Sequence, residues 1–168
     1  CCRPSEMSAV ALPELPTLLP HRLDLTRTFD APRALVWMAW TRPEMRVNWL
    51  GPIEWPMVEG FNDLRVGGEW RACLRSVETG EDLWQGGYYR EIVEPERLVF
   101  TFRWDESHED GPPADTLVTV LLHETEDSCT RMDFAQEGLK SERSLTGHEH
   151  GWNSTLDRLE AWLAANPD

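Results

Sequence analysis

One long amphipathic pattern, close to the end of the chain, constrains the fold more than any other feature. Six residues recur at intervals of three and four positions, which places them on one face of a helix: Leu145, His148, Trp152, Leu156, Leu159 and Leu163. Thr146 and Glu149 match a capping box, although the helix could also begin near Ser141. A helix of this kind must bury its apolar face, so the pattern predicts another layer of structure beneath it.

Strand-like segments separated by turn residues precede this helix. His21 to Phe29 alternates between an apolar and a polar face, and so does Leu98 to Trp104. Further strands are predicted over these ranges: Glu69–Val77, Leu83–Val93, Thr116–Leu122 and Thr130–Gln136. Such consecutive hairpins favour an antiparallel sheet.

Two short helices are predicted after the first strand. Asp30-Ala31-Pro32 is typical of a helix start, and Thr41 to Glu44 matches a capping box with Pro43 in the first turn. The fold class is therefore α+β, with a curved antiparallel sheet of about six to seven strands wrapped around the long C-terminal helix. A curved sheet that grips a helix can leave a hollow between the two.

Composition limits the environment and the partners. Among 168 residues the net charge is −14, which disfavours nucleic acids and anionic membrane surfaces as partners. The sequence shows neither a secretion signal nor an apolar run of bilayer length, and its four cysteines follow no disulfide or metal spacing. We expect a cytoplasmic protein, with a proline-rich extension over 1–20 and a single domain over 21–168.

Tryptophan is unusually frequent, with nine residues. Alternation and helical phase predict that a large apolar set faces inward, and the following members are candidates for a cavity wall: Trp49, Trp70, Phe102, Trp104, Val118, Phe134, Trp152 and Leu156. Pockets are themselves mostly apolar, so these residues could equally form a solid core.

Candidate polar groups are few. His148 lies on the apolar stripe of the last helix, either as a core residue or as a titratable group in a cavity. Glu69 and Glu91 lie on predicted strands, where an inward carboxylate could act as an acid or base and an outward one would be solvated. His148-Glu149-His150 lacks the helical spacing of metal ligands, and no cofactor fingerprint occurs, so we expect neither metal nor cofactor.

Several motifs together give the chain a family resemblance. Phe29-Asp30-Ala31-Pro32, Asn48-Trp49-Leu50-Gly51-Pro52, Gly67-Gly68-Glu69-Trp70 and His150-Gly151-Trp152 are among them. With this order of elements, the chain from about Leu23 to Leu163 resembles the Hsp90-ATPase-activator-like family of the START-like superfamily, which has a helix-grip fold. The family often has two aromatic residues before Gly-Pro, and here Leu50 stands in the second place.

The resemblance implies that the partner is a hydrophobic small molecule, bound between the sheet and the last helix. It also leaves open a cyclase- or aromatase-like enzyme acting in the same cavity, and a chaperone-interaction module. The eukaryotic co-chaperone joins this fold to a second domain for which 168 residues leave no room, so we do not expect Hsp90 as a partner. A homodimer is left open.

Overall fold

The computed structural model of the protein describes residues 21–105 and 115–167. The helices are α1 (Arg33–Thr41), α2 (Pro43–Arg46) and α3 (Glu142–Ala165). The strands are β1 (His21–Phe29), β2 (Met57–Asn62), β3 (Glu69–Arg75), β4 (Asp82–Val93), β5 (Arg97–Trp104), β6 (Thr116–Glu124) and β7 (Thr130–Leu139). The predicted α+β architecture is confirmed, including the two short helices after the first strand.

The seven strands form one antiparallel sheet with the order β1-β7-β6-β5-β4-β3-β2. Strands β2 to β7 follow one another as hairpin neighbours. The first strand instead pairs with the last, from His21 opposite Leu139 to Phe29 opposite Thr130. This pairing places the beginning of the domain beside the strand that leads into α3.

Strand limits differ from the prediction where side chains build turns. β3 ends at Arg75, because the Ser76 hydroxyl accepts hydrogen bonds from the backbone N–H groups of Glu78 and Thr79 and starts the turn there. β2 lies within a stretch that alternation marked only as strand-like. Its burial does not alternate cleanly, because a register irregularity interrupts its pairing with β3 between Met57 and Glu59.

Two of the predicted helix caps are wrong. The Thr41 hydroxyl donates to the Trp37 carbonyl, 2.8 Å away, and therefore does not cap α2. Thr146 lies exposed inside α3. The true cap of that helix is Ser141, whose hydroxyl accepts from the Ser144 N–H at 3.0 Å, as the alternative start predicted.

The apolar faces of the sheet and of α3 meet in one core. Trp40 of α1 lies at its centre, with ring centroids 4.9 Å from Trp49 and 6.1 Å from Trp152. Trp152 also packs on Phe134 of β7 at 4.6 Å. Farther along α3, Leu156, Leu159 and Leu163 complete the buried stripe. None of the helices in the described ranges is long and apolar enough to cross a membrane.

Candidate functional site

The core is not solid beneath the first half of α3. A cavity of about 420 Å³ lies there, bounded by the loop after α2, by strands β3, β4 and β5, by the start of β6 and the end of β7, and by α3 itself. Most of its exposed wall is apolar. The lining also includes these polar or charged side chains: Glu54, Gln85, Thr116, Lys140, Ser144, His148, His150 and Thr155. Helix and sheet therefore leave a partly open hollow at one end and form a packed core at the other.

Four of the predicted wall residues come together at this cavity. Phe102 and Trp104 reach it from β5, and His148 and Trp152 reach it from α3. Their rings contact one another, with centroid distances of 5.7 Å between Phe102 and Trp104 and 6.0 Å between Phe102 and Trp152. These residues form one aromatic side of the hollow.

Other predicted wall residues lie in the packed core. Trp49, Val118, Phe134 and Leu156 are buried but do not line the cavity. Trp49, for example, is fully buried and its indole N–H donates to the Ala39 carbonyl at 3.1 Å. Trp70 lines a second, smaller void instead. Alternation indicates which side chains face inward. It does not indicate whether an inward side chain lies at the cavity or in the packed core.

Much of the remaining wall was not predicted from the sequence. The loop after α2 contributes Leu50, Gly51, Pro52 and Trp55, and the buried Gln85 of β4 contributes an amide. No periodic pattern marks a loop as a wall. The Leu50 departure from the usual pair of aromatics was the only signal, and Leu50 does line the cavity.

Polar contacts from α3 hold this loop in place. The Arg158 guanidinium donates to the carbonyls of Gly51 at 2.7 Å, Leu50 at 3.1 Å and Asn48 at 3.2 Å. The Ile53 N–H donates to the Ser154 hydroxyl at 3.1 Å. Burial lowers the pKa of Arg158. Loop and helix are thus one connected wall rather than separate surfaces.

A buried hydrogen-bond chain crosses the sheet below the cavity. The Trp152 indole N–H donates to the Gln136 amide oxygen at 2.9 Å, and the Gln136 amide nitrogen donates to the Thr116 hydroxyl at 3.0 Å. That hydroxyl donates to the Phe102 carbonyl at 2.8 Å. Each side-chain polar group of this hydrogen-bond chain is satisfied, which fixes the rotamer of Trp152 at the cavity wall.

His148 is held on the same side of the hollow as Trp104, with ring centroids 6.5 Å apart. Its Nε2 accepts from the Trp104 indole N–H at 3.2 Å, so Nδ1 carries the proton and donates to the Ser144 carbonyl at 2.8 Å. Both ring nitrogens are engaged, and the pair of α3 and β5 side chains closes the cavity on that side.

The predicted carboxylates lie elsewhere. Glu69 and Glu91 are both exposed, outside the cavity, and Glu91 accepts a hydrogen bond from Arg97. The strands turn these positions toward solvent, where a Glu side chain remains hydrated. Asp63 and Arg65 form an exposed ion pair at 2.6 Å near the turn before β3, away from the cavity.

The described residues contain no group of three or more His, Cys, Asp or Glu side chains that could hold a metal ion. His148 and His150 both line the cavity, yet Glu149 and His150 are exposed while His148 points toward Trp104. The three consecutive residues therefore do not converge on one point.

A curved antiparallel sheet that grips one long C-terminal helix, with a hollow beneath that helix, defines the helix-grip class of START-like proteins. The comparisons place the chain more narrowly. The sequence profile of the family described as "Activator of Hsp90 ATPase homolog 1-like protein" matches residues 30–164. The chain belongs to this family.

Solved structures of similar proteins have the same fold. A protein from Chromobacterium violaceum is 26% identical with a TM-score of 0.74, over 85% of this chain and 97% of that one. One from Nitrosomonas europaea is 26% identical with a TM-score of 0.71, over 86% and 94%. The AHSA1 protein from Silicibacter pomeroyi is 23% identical with a TM-score of 0.74, over 86% and 99%. A search of curated proteins gives no match.

Proposed function

We propose that the protein binds a hydrophobic small molecule in the cavity beneath α3. The observation that carries this proposal is the 420 Å³ hollow between the sheet and the helix, whose volume falls within the range of about 300–1,000 Å³ of small-molecule sites. An aromatic side made of Phe102, Trp104 and Trp152 offers a large apolar contact area.

The test is a binding screen against a library of hydrophobic compounds, followed by calorimetry. A ligand present at a hundred times its Kd should stabilise the folded protein by about 2.7 kcal/mol. Gly151→Phe supplies the matched variant, because Gly151 lines the cavity and an added Cβ meets nothing within 4 Å. The new ring should occupy the hollow and abolish binding.

Thr146→Phe is the control, since Thr146 lies exposed on the same helix and does not line the cavity. It should bind ligand as the wild type does. A screen without any ligand, or equal binding by the Gly151→Phe variant, would contradict the proposal.

An enzyme acting in the same cavity is the second candidate, because His148 lines the hollow. His148 would have to exchange its bond with Trp104 for one with a substrate before Nε2 could accept a proton. Turnover of a bound ligand that is lost in His148→Gln would support catalysis. If the bound ligand is recovered unchanged after prolonged incubation, the enzyme candidate is dismissed and the binding proposal stands.

A chaperone-interaction role is a separate possibility that only the family description raises. The ATPase rate of Hsp90, measured with and without the protein, tests it directly. An unchanged rate would dismiss this role without affecting the ligand proposal.

A further inference from the structure

An arginine is buried in the core without an acidic partner. Arg46, on α2, is 4% exposed, and it forms no ion pair within the described ranges. Its guanidinium lies over the Trp70 ring, 5.8 Å from the centroid. A contact with an aromatic face compensates a buried charge only in part.

The unpartnered polar atoms of the core gather around this arginine. In the described part of the chain, the buried side-chain atoms that lack a hydrogen-bond partner are Trp40 Nε1, Arg46 Nε and Nη2, Asn62 Oδ1 and Tyr89 Oη. Trp40, Arg46 and Tyr89 line one void of about 20 Å³. Elsewhere in the described core, the buried polar side-chain atoms have hydrogen-bond partners. The unpartnered atoms are therefore concentrated around Arg46.

Among the residues that the structure describes, no carboxylate lies beside the Arg46 guanidinium, and its neighbour Tyr89 is a neutral phenol that does not balance the charge. Burial lowers the pKa of the Arg46 guanidinium, and the neighbouring Tyr89 opposes this effect in part. Burial raises the pKa of Tyr89, which therefore stays protonated and able to donate. Arg46 keeps its proton in proteins, so the fold holds a cation that attracts an anion.

The chemistry of the unpartnered atoms selects the kind of anion. Arg46, Trp40 and Tyr89 all present donors, and an ionised carboxylate accepts at both oxygens and donates nothing. A void of about 20 Å³ holds a group little larger than one water molecule, which excludes a phosphate.

The small void adjoins the ligand cavity. Leu50, Gln85 and Trp152 line both spaces and form the partition between them. We propose that the ligand is an amphipathic carboxylic acid, whose apolar body occupies the larger cavity and whose carboxylate passes this partition to accept hydrogen bonds from Arg46 and Tyr89. This inference rests on the proposed binding function and specifies the class of ligand.

The experiment compares two probes of equal chain length, decanoic acid and 1-decanol, titrated into the full chain by calorimetry. The wild type should bind the acid at least about tenfold more tightly, as expected for hydrogen bonds to a charged group. Arg46→Met should remove this preference and leave the affinity for the alcohol within about twofold. Tyr89→Phe, which deletes one donor and keeps the ring, should reduce the preference by about threefold.

Arg42→Met is the matched control, because Arg42 is an exposed arginine four residues away and its side chain caps nothing. It should retain the preference for the acid. Equal binding of acid and alcohol by the wild type, or a preference that survives Arg46→Met, overturns the carboxylate inference and leaves the binding function standing. If neither probe binds and the hydrophobic library also fails, both proposals are overturned.

Discussion

Arg46 is buried and Arg158 is half-buried, and the two arginines have opposite consequences for stability. Arg158 donates to three backbone carbonyls and joins α3 to the loop that walls the cavity. Arg46 leaves Nε and Nη2 unpartnered. A buried hydrogen bond that is satisfied stabilises a fold, whereas an uncompensated buried charge costs stability. Arg158 therefore stabilises the fold by joining the loop to α3, whereas the burial of Arg46 lowers the stability of the fold.

Replacing Arg46 should stabilise the ligand-free protein. Methionine matches the stem of arginine and removes the buried charge, so we expect Arg46→Met to raise the free energy of unfolding by about 1–4 kcal/mol. Urea unfolding checks this, with Arg42→Met expected within about 0.5 kcal/mol of the wild type. A destabilised Arg46→Met protein would mean that the guanidinium already has a compensating partner.

Asp105 should contribute to stability only above acid pH. Arg71 donates to both of its carboxylate oxygens, at 2.8 and 2.5 Å, and these hydrogen bonds lower the pKa of Asp105. A folded-state pKa below the unfolded one stabilises the protein above the unfolded pKa, and this contribution is lost as pH falls below about 4. Both side chains are partly exposed, so Asp105→Asn should cost at most about 1 kcal/mol at pH 7.

Unfolding measured at pH 7 and at pH 3 tests this sign. The difference between wild type and Asp105→Asn should shrink toward zero at pH 3. Asp115→Asn is the comparison, because its oxygen lies 3.6 Å from Arg103 and the pair is looser. A difference for Asp105→Asn that grows on acidification would refute the assignment.

At the scale of elements, α3 combines two tasks along its length. Its second half buries Leu156, Leu159 and Leu163 and anchors the sheet. Its first half roofs the cavity and contains Gly147 and Gly151, at which an added Cβ would meet nothing within 4 Å. Glycine inside a helix lowers its stability, so the first half of α3 has a lower intrinsic helix stability than the second half.

The N-cap of α3 should therefore matter for stability. Ser141→Ala removes the hydroxyl that accepts from the Ser144 N–H and should cost about 1 kcal/mol. Thr146→Ala tests the cap predicted from the sequence pattern. It should change stability by less than about 0.5 kcal/mol, because Thr146 is exposed within the helix. Thermal unfolding of the two variants distinguishes the two positions, and a larger loss at Thr146 would contradict the observed cap.

For the whole molecule, the sheet order brings the first described strand next to the last one. β1 pairs with β7, and β7 leads into α3, so the first described strand lies beside the strand that precedes the last helix. Arg27 of β1 strengthens this closure by contacting Asp157 of α3 at 2.8 Å. The expectation that 21–168 forms a single domain stays a prediction, and so does the role of 1–20.

Salt should stabilise the folded protein. A net charge of −14 makes the compact state repel itself, and raising NaCl from 10 mM to 0.3 M screens this repulsion. We expect Tm to rise by a few degrees, equally in NaCl and KCl because screening does not distinguish the cations. A falling Tm would show that attraction in ion pairs such as Arg71–Asp105 outweighs the repulsion.

Local patterns determined most of the fold. Period-two alternation in His21–Phe29 and Leu98–Trp104, and the stripe from Leu145 to Leu163, predicted the elements because each pattern reports which face of one segment is apolar. The same patterns predicted that Phe102, Trp104, His148 and Trp152 face inward. Side-chain periodicity is a property of a single segment, so it can be read without knowing the neighbours.

Tertiary structure alone decided where the hollow lies and which polar groups it reaches. Trp49 and Phe134 face inward as predicted but pack into solid core, since the distance between α3 and the sheet depends on all contacts along both. Arg46 belongs to a four-residue helix with no periodicity of its own, and only packing against β3 and β4 buries it. Burial of an isolated charge depends on contacts between segments far apart in sequence, and no local pattern encodes them.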